Sequence, residues 1–270
     1  MRKCVVAGQF YPKDKDELME IIDIFLSEVQ SVERHKIIGG VVPHAGYIFS
    51  GKTAGYFFKS LIDSNFDTFI ILGTNHSGLG DKIALSLEDF ETPLGIVKND
   101  KKLSEELLKY FKLNEQAHKS EHSIEVQLPF LQVVKKKFTF VPILVKDLNL
   151  EDIKDYSEKI ASSIGRHSGK VCIIASSDFT HYGRVYGFTS KEDIKTIDKR
   201  VIDKILEYSV GGFLKEAGKT SVCGKDAIAL CMEVCMRLGS KKAKELKYST
   251  SAEVSGDKNI EVGYASLVFV

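Results

Sequence analysis

Three short apolar runs in this 270-residue chain each end in residues able to bind a metal or move a proton. Gly40-Val41-Val42 leads into Pro43-His44-Ala45-Gly46. Phe69-Ile70-Ile71-Leu72 leads into Gly73-Thr74-Asn75-His76-Ser77-Gly78. Val171-Cys172-Ile173-Ile174-Ala175 leads into Ser176-Ser177-Asp178-Phe179-Thr180-His181. One histidine after one strand is more often a cap or a loop hydrogen-bonder, but three such endings at one sheet edge would bring His44, His76, Asp178 and His181 together. Cys223 stands just before a helical pattern, where a helix N-terminus favours a thiolate. Imidazole and thiolate suit metal ligation, a stabilised thiolate equally suits nucleophilic work, and an Asp–His pair suits acid–base work.

A second dense segment is Ser120-Glu121-His122-Ser123-Ile124-Glu125-Val126-Gln127-Leu128-Pro129. Ser120 and Ser123 can cap a helix, and His122 and Glu125, three apart, then share one face. They could form a proton-transfer pair, support a metal ligand, or belong to a plain capped helix with a surface ion pair. Cys231 and Cys235 fall in register with Ile228, Val234 and Leu238 and read as core. His35, His118 and His167 have polar neighbours and read as solvated surface.

One motif competes. Gly46-Tyr47-Ile48-Phe49-Ser50-Gly51-Lys52-Thr53 satisfies the phosphate-loop pattern G-x-x-x-x-G-K-[ST] between a strand and a helix. Its interior is bulky and apolar where backbone amides must wrap phosphate, and the reading leaves the histidines and Cys223 without a role.

The elements that would position these residues alternate. Strands are expected at 36–42, 67–72, 139–145 and 170–175, and helices at 14–29, 51–62, 101–111, 123–136, 150–164, 191–208 and 225–238. That alternation predicts an α/β fold, a three-layer α/β/α sandwich whose central sheet is mixed and mostly parallel. Segments 82–86 and 95–98 around Phe90-Glu91-Thr92-Pro93 read as an inserted hairpin, and 243–254 with 260–270 as a C-terminal antiparallel pair. With no linker or repeat, one domain over 1–270 is expected, its ligands bound outside the carboxyl ends of the strands.

Composition excludes several classes. The chain is 43% hydrophobic and 28% charged, an ordinary globular balance. Lys and Arg number 38 against 37 Asp and Glu, so no electrostatic footprint points to nucleic acid or anionic lipid. Five cysteines without a CxxC pair read as reduced thiols. No apolar run reaches the roughly 18 residues of a membrane span or the ~7–15 of a signal-peptide core, so a cytoplasmic chain is expected.

The segments AGQFYP, PHAGYIFSG, LGTNHSG, EHSIEVQLPFL, SSDFTHYG and CGKDAI, in that order, resemble the Memo family, and the resemblance runs from about Ala7 to the C-terminus. Its best-known animal member mediates ErbB-receptor-driven cell motility. Prokaryotic members are named for a system with an AMMECR-type protein and a radical-SAM protein, which are the partners the resemblance implies. It also implies a fold similar to class III extradiol dioxygenases, non-haem iron enzymes with two His and one carboxylate on Fe(II). Carried over, His44, His76 and Cys223 are the implied metal ligands, with Asp178 and His181 in the pocket and His181 in an acid–base place. Phe10 stands where animal members carry tryptophan, and Phe10 and Tyr47 are the expected walls for a small-molecule or peptide ligand. Thiolate in place of carboxylate makes the site softer, so copper and zinc stand beside Fe(II), and ring cleavage does not follow from the fold. The expectation is a metal-dependent, redox or dioxygenase-like protein. The alternatives are a non-catalytic partner-binding protein using the same cleft and, behind both, the nucleotide binder.

Overall fold

Continuous β-branched and aliphatic runs become strands buried on both faces, as a parallel sheet covered by helices requires. The computed structural model of the chain describes residues 1–30 and 36–270, so His35 lies outside the described residues. Its strands are β1 (Gly39–Val42), β2 (Thr68–Thr74), β3 (Ile83–Leu85), β4 (Phe90–Thr92), β5 (Gly95–Asn99), β6 (Lys112–Leu113), β7 (Thr139–Val145), β8 (Val171–Ser176), β9 (His181–Tyr182), β10 (Ala243–Thr250) and β11 (Glu261–Phe269). They join in one sheet with the main order β10-β11-β1-β8-β2-β7-β3-β6. The centre, β1-β8-β2-β7, is parallel throughout. β11 runs antiparallel to β1 and β10, and β3 antiparallel to β7.

Alternate strand residues feed two cores. Val41, Ile70, Leu72, Ile173 and Ala175 face one side of the sheet. Val42, Phe69, Ile71, Cys172 and Ile174 face the other. The first core is closed by α3 (Lys101–Leu107), α6 (Leu150–Arg166), α7 (Ile194–Leu206), α8 (Val210–Ala217) and α9 (Lys225–Arg237). The second is closed by α1 (Lys15–Ser27), α2 (Tyr47–Ser60), the short α4 (Glu115–His118) and α5 (Leu128–Val134). This is the expected three-layer α/β/α arrangement around a mixed, mostly parallel central sheet.

Several local expectations change. The hairpin pairs β4 with β5 around Pro93 and Leu94, while 83–85 joins β7 instead. The expected helix 123–136 begins as a turn and a short 3-10 segment, Glu125–Gln127, before α5. His118 is buried, not solvated; its Nε2 lies 2.9 Å from the Ala84 carbonyl. The His167 side chain is also mostly covered and lies 3.4 Å from Asp100. Cys231 and Cys235 are fully buried in the first core, as their helical register requires.

Candidate metal centre

His44 follows β1, His76 follows β2, and Cys223 immediately precedes α9. Their ligand atoms lie within 4.8 Å of one another. His44 is buried, and its Nε2 is 3.3 Å from the Cys223 Sγ. The His76 ring centroid lies 5.2 Å from that of His44. No described helix is long and apolar enough to cross a membrane.

The hydrogen bonds around each ring decide which nitrogen faces the centre. Ser176 Oγ donates to the Ser123 carbonyl at 2.5 Å and accepts from Gln127 Nε2 at 2.7 Å. Its proton is committed, so His44 Nδ1, 3.2 Å away, must donate to it. Nδ1 of His76 sits 2.9 Å from Glu121 Oε1, a carboxylate that can only accept. Each neutral ring therefore carries its proton on Nδ1 and turns the Nε2 lone pair inward. Carboxylate or hydroxyl support behind a ligating imidazole is the usual way to fix its tautomer.

Cys223 is held among hydroxyls and backbone. Its sulfur is 3.7 Å from Ser177 Oγ and 3.6 Å from the Asp178 carbonyl. Gly224 makes this packing possible. A Cβ there would stand 2.5 Å from both Ser177 Cβ and Thr74 Oγ1.

The charges are coupled. Burial works against the Cys223 thiolate, but the facing His44 charge and hydrogen bonds from His44 and His76 win and lower its pKa to about 5. Burial likewise works against a charged His44, yet the Cys223 thiolate and Asp178 raise it to about 9. His76, opposed by burial but bonded to Cys223 and Glu121, is raised to about 10. Without a metal, the thiolate is thus faced by two protonated imidazoles, whose protons occupy the places a cation would take.

The remaining residues distribute as follows. Asp178 Oδ1 accepts the His44 backbone N–H at 2.7 Å, and Oδ2 lies 4.0 Å from His44 Nε2. His181 places Nδ1 3.0 Å from the Phe179 carbonyl, which leaves Nε2 free to accept a proton. His122 stacks on His76 at 4.7 Å and meets the Phe10 ring at 4.8 Å. Burial, then the neighbouring His44 charge, lowers His122 to about 4, so it is neutral at pH 7. These residues line one cleft of about 450 Å³ with Phe49, Tyr186 and Tyr264.

Three expectations are corrected. Glu125 does not pair with His122. It is fully buried, and its oxygens accept from Arg2, Val5, Val6 and Tyr11. The carboxylate at the site is Glu121, whose Oε1 also accepts from the amides of His122 and Ser123 and whose Oε2 accepts from the His76 amide. Tyr47 is not a cleft wall. It is buried against Tyr11 and Phe130, and its hydroxyl donates to the Val126 carbonyl at 2.7 Å. Finally, Gly46–Thr53 forms no phosphate loop, because α2 already starts at Tyr47. Phe25 packs where a Gly51 side chain would be, Lys52 pairs with Glu28 at 2.8 Å, and Thr53 is buried on Ser249.

A larger cavity of about 740 Å³ opens at the other end of the strands, lined by Lys36, Lys59, Lys170 and Phe66 among others. Asp63 is the one potential metal ligand among its lining residues. Chemistry therefore concentrates in the smaller cleft.

Comparison with known proteins agrees in extent. Residues 2–268 match the family described as Memo-like protein. The chain belongs to the Memo family. A MEMO1 family protein of Nitrosopumilus maritimus is 39% identical over the full length of both chains. One from Thermococcus onnurineus is 39% identical over 100% of this chain and 99% of the relative, and one from Methanosarcina mazei 37% identical over 99% and 98%.

Proposed function

We propose that this Memo-family protein holds one metal ion, Fe(II) first with copper or zinc as alternatives, on His44, His76 and Cys223. The reading rests on one observation above all: two imidazole Nε2 atoms with fixed tautomers and one low-pKa sulfur converge within ligand reach. A three-donor set leaves positions for other ligands; iron or copper bound there would supply oxygen activation or electron transfer to a substrate in the cleft, and zinc would supply Lewis-acid polarisation. His181 Nε2 is the base that takes a proton from that substrate. Asp178 orients the His44 backbone, neutral His122 offers a second acceptor, and Phe10 packs against the ligand.

Anaerobic purification followed by metal analysis tests the site and should give about one ion per chain. Full occupancy in a His44→Ala, Cys223→Ala double variant would sink the assignment. Substrate turnover by the loaded protein separates dioxygenase-like or other redox activity from mere binding.

A second reading has its own support. Phe49, Tyr186 and Ile260 line the cleft and are 37%, 44% and 42% exposed, which suits a peptide or protein partner covering the mouth. AMMECR-type and radical-SAM proteins are the partners to try first. Equal capture of either by wild type and the His44→Ala variant favours this reading, and turnover of a small molecule counts against it.

A further inference from the structure

Glu125 lies outside the cleft, yet its carboxylate gathers the first eleven residues. Arg2 Nη1 donates at 2.7 Å, the Val5 and Val6 amides at 3.0 Å, and Tyr11 Oη at 2.6 Å. Arg2 spends its other donors on the segment that carries the site residues. Its Nε donates to the His118 carbonyl at 2.6 Å and its Nη2 to the Glu121 carbonyl. Glu121 in turn holds His76 through both its ring and its amide. The same N-terminal segment sends the Phe10 ring against His122 and the Phe10 carbonyl to the first amide of α2, Tyr47 N, at 2.7 Å.

We propose that residues 2–11 are a docked wall of the metal cleft, and that Arg2, Glu125 and Tyr11 are positioning residues whose hydrogen bonds set the metal affinity of the His44–His76–Cys223 centre. The proposal rests on the metal reading above. The physical path is continuous: buried ion pair, Glu121 backbone, Glu121 carboxylate, His76 ring. Two equilibria joined by such a path are linked reciprocally, so metal must tighten the docked segment by the factor that docking tightens metal. A segment that merely adds stability has no such reciprocity.

The test uses the full chain and cobalt(II) as the probe, read by its thiolate charge-transfer absorption and by competition with a chelator. Glu125→Gln should weaken cobalt(II) binding about tenfold, at the lower end of what loss of outer support costs a metal site. Tyr11→Phe, the milder change, should weaken it by roughly threefold. Ile160→Val, remote in the first core, lowers stability without moving the affinity. In wild type, metal should slow hydrogen exchange at the Val5 and Val6 amides. Should Glu125→Gln not fold, Tyr11→Phe and the exchange measurement carry the same decision. Affinities within twofold of wild type in folded variants, or exchange at Val5 and Val6 indifferent to metal, overturn the proposal. Wild type that takes up no cobalt(II) overturns the metal reading and this proposal together, whereas wild type that binds beside equally tight variants overturns this proposal alone.

Discussion

Metal uptake should depend steeply on pH, with a slope that follows from the protons now held at the centre. His44 and His76 are raised to about 9 and about 10, and Cys223 is lowered to about 5. Between pH 5 and 9 the metal-free centre is therefore a thiolate with two imidazolium rings. A cation can take the two Nε2 atoms only by expelling both protons, while Cys223 has none to lose. The sign is unambiguous: raising the pH within this window favours binding, because the competing protons become scarcer. The logarithm of the apparent affinity should climb by about two per pH unit, worth about 2.7 kcal/mol per unit. From pH 6 to 8 the gain is about ten-thousandfold. Below pH 5 the Cys223 proton joins the competition and the slope steepens toward about three. Cobalt(II) or zinc titration against a chelator of known affinity measures the slope. A weakly buffered solution with an indicator dye counts the protons released. A flat profile between pH 6 and 8 with no proton release would refute the reasoning, since it would mean that the imidazoles are already neutral or do not bind.

Three further outcomes follow from individual residues. Glu121→Gln places an amide where the His76 backbone N–H or ring N–H needs an acceptor, so metal affinity should fall about ten- to hundredfold while the fold persists; unchanged affinity in chelator competition would remove Glu121 from the site. Tyr47→Phe should lower stability by about 1–2 kcal/mol through the lost bond to the Val126 carbonyl, without changing metal affinity or cleft-ligand binding; a ligand affinity that drops with stability intact would restore Tyr47 as a wall. His118, lowered by burial to about 4, stays neutral in the fold while the unfolded chain protonates first, so its share of stability is complete above pH 6.5 and is lost as pH falls toward 4. That share is about 3 kcal/mol, and denaturant melts of wild type against His118→Gln across this window should show the variant losing less.

The legible parts of the chain were those whose physics is local. β7 is read residue for residue and β2 and β8 closely, because a strand buried on both faces must be an unbroken apolar run. α6 is legible because its apolar stripe is regular and its start carries an Asn149–Asp152 capping box. Two helices hide behind glycine. α2 begins four residues before the expected 51, and Gly51 and Gly55 sit inside it because Phe25 packs against both. α8 is missed altogether, since Gly211 and Gly212 look like a loop until Ser209 is seen to cap them into a helix. At the site, assuming a helix from Ser123 put His122 and Glu125 on one face. The observed turn breaks that spacing, and the carboxylate that reaches His76 is the one beside His122 in sequence, a relation that periodicity cannot reveal.

The division of labour among the three strand ends follows from sheet geometry. β8 lies between β1 and β2, so the strands that lead to His44 and His76 are two spacings, roughly 10 Å, apart. Two imidazoles can close that gap only if the strand between them stays out of the way. Its end runs into Ser176-Ser177, both fully buried and both outside the candidate donor group. Ser176 fixes the His44 tautomer, and Ser177 receives the Gly224 amide that sets Cys223 over the gap. The third donor therefore has to come from another layer, the start of α9. A bulky residue at 177 would press on the Cys223 sulfur, and one at 176 would push on the His44 ring from behind. The strand-end rule thus locates the cleft, and on the metal reading the small middle strand end accounts for a cysteine just ahead of α9, not Asp178 just past β8, as the third candidate donor.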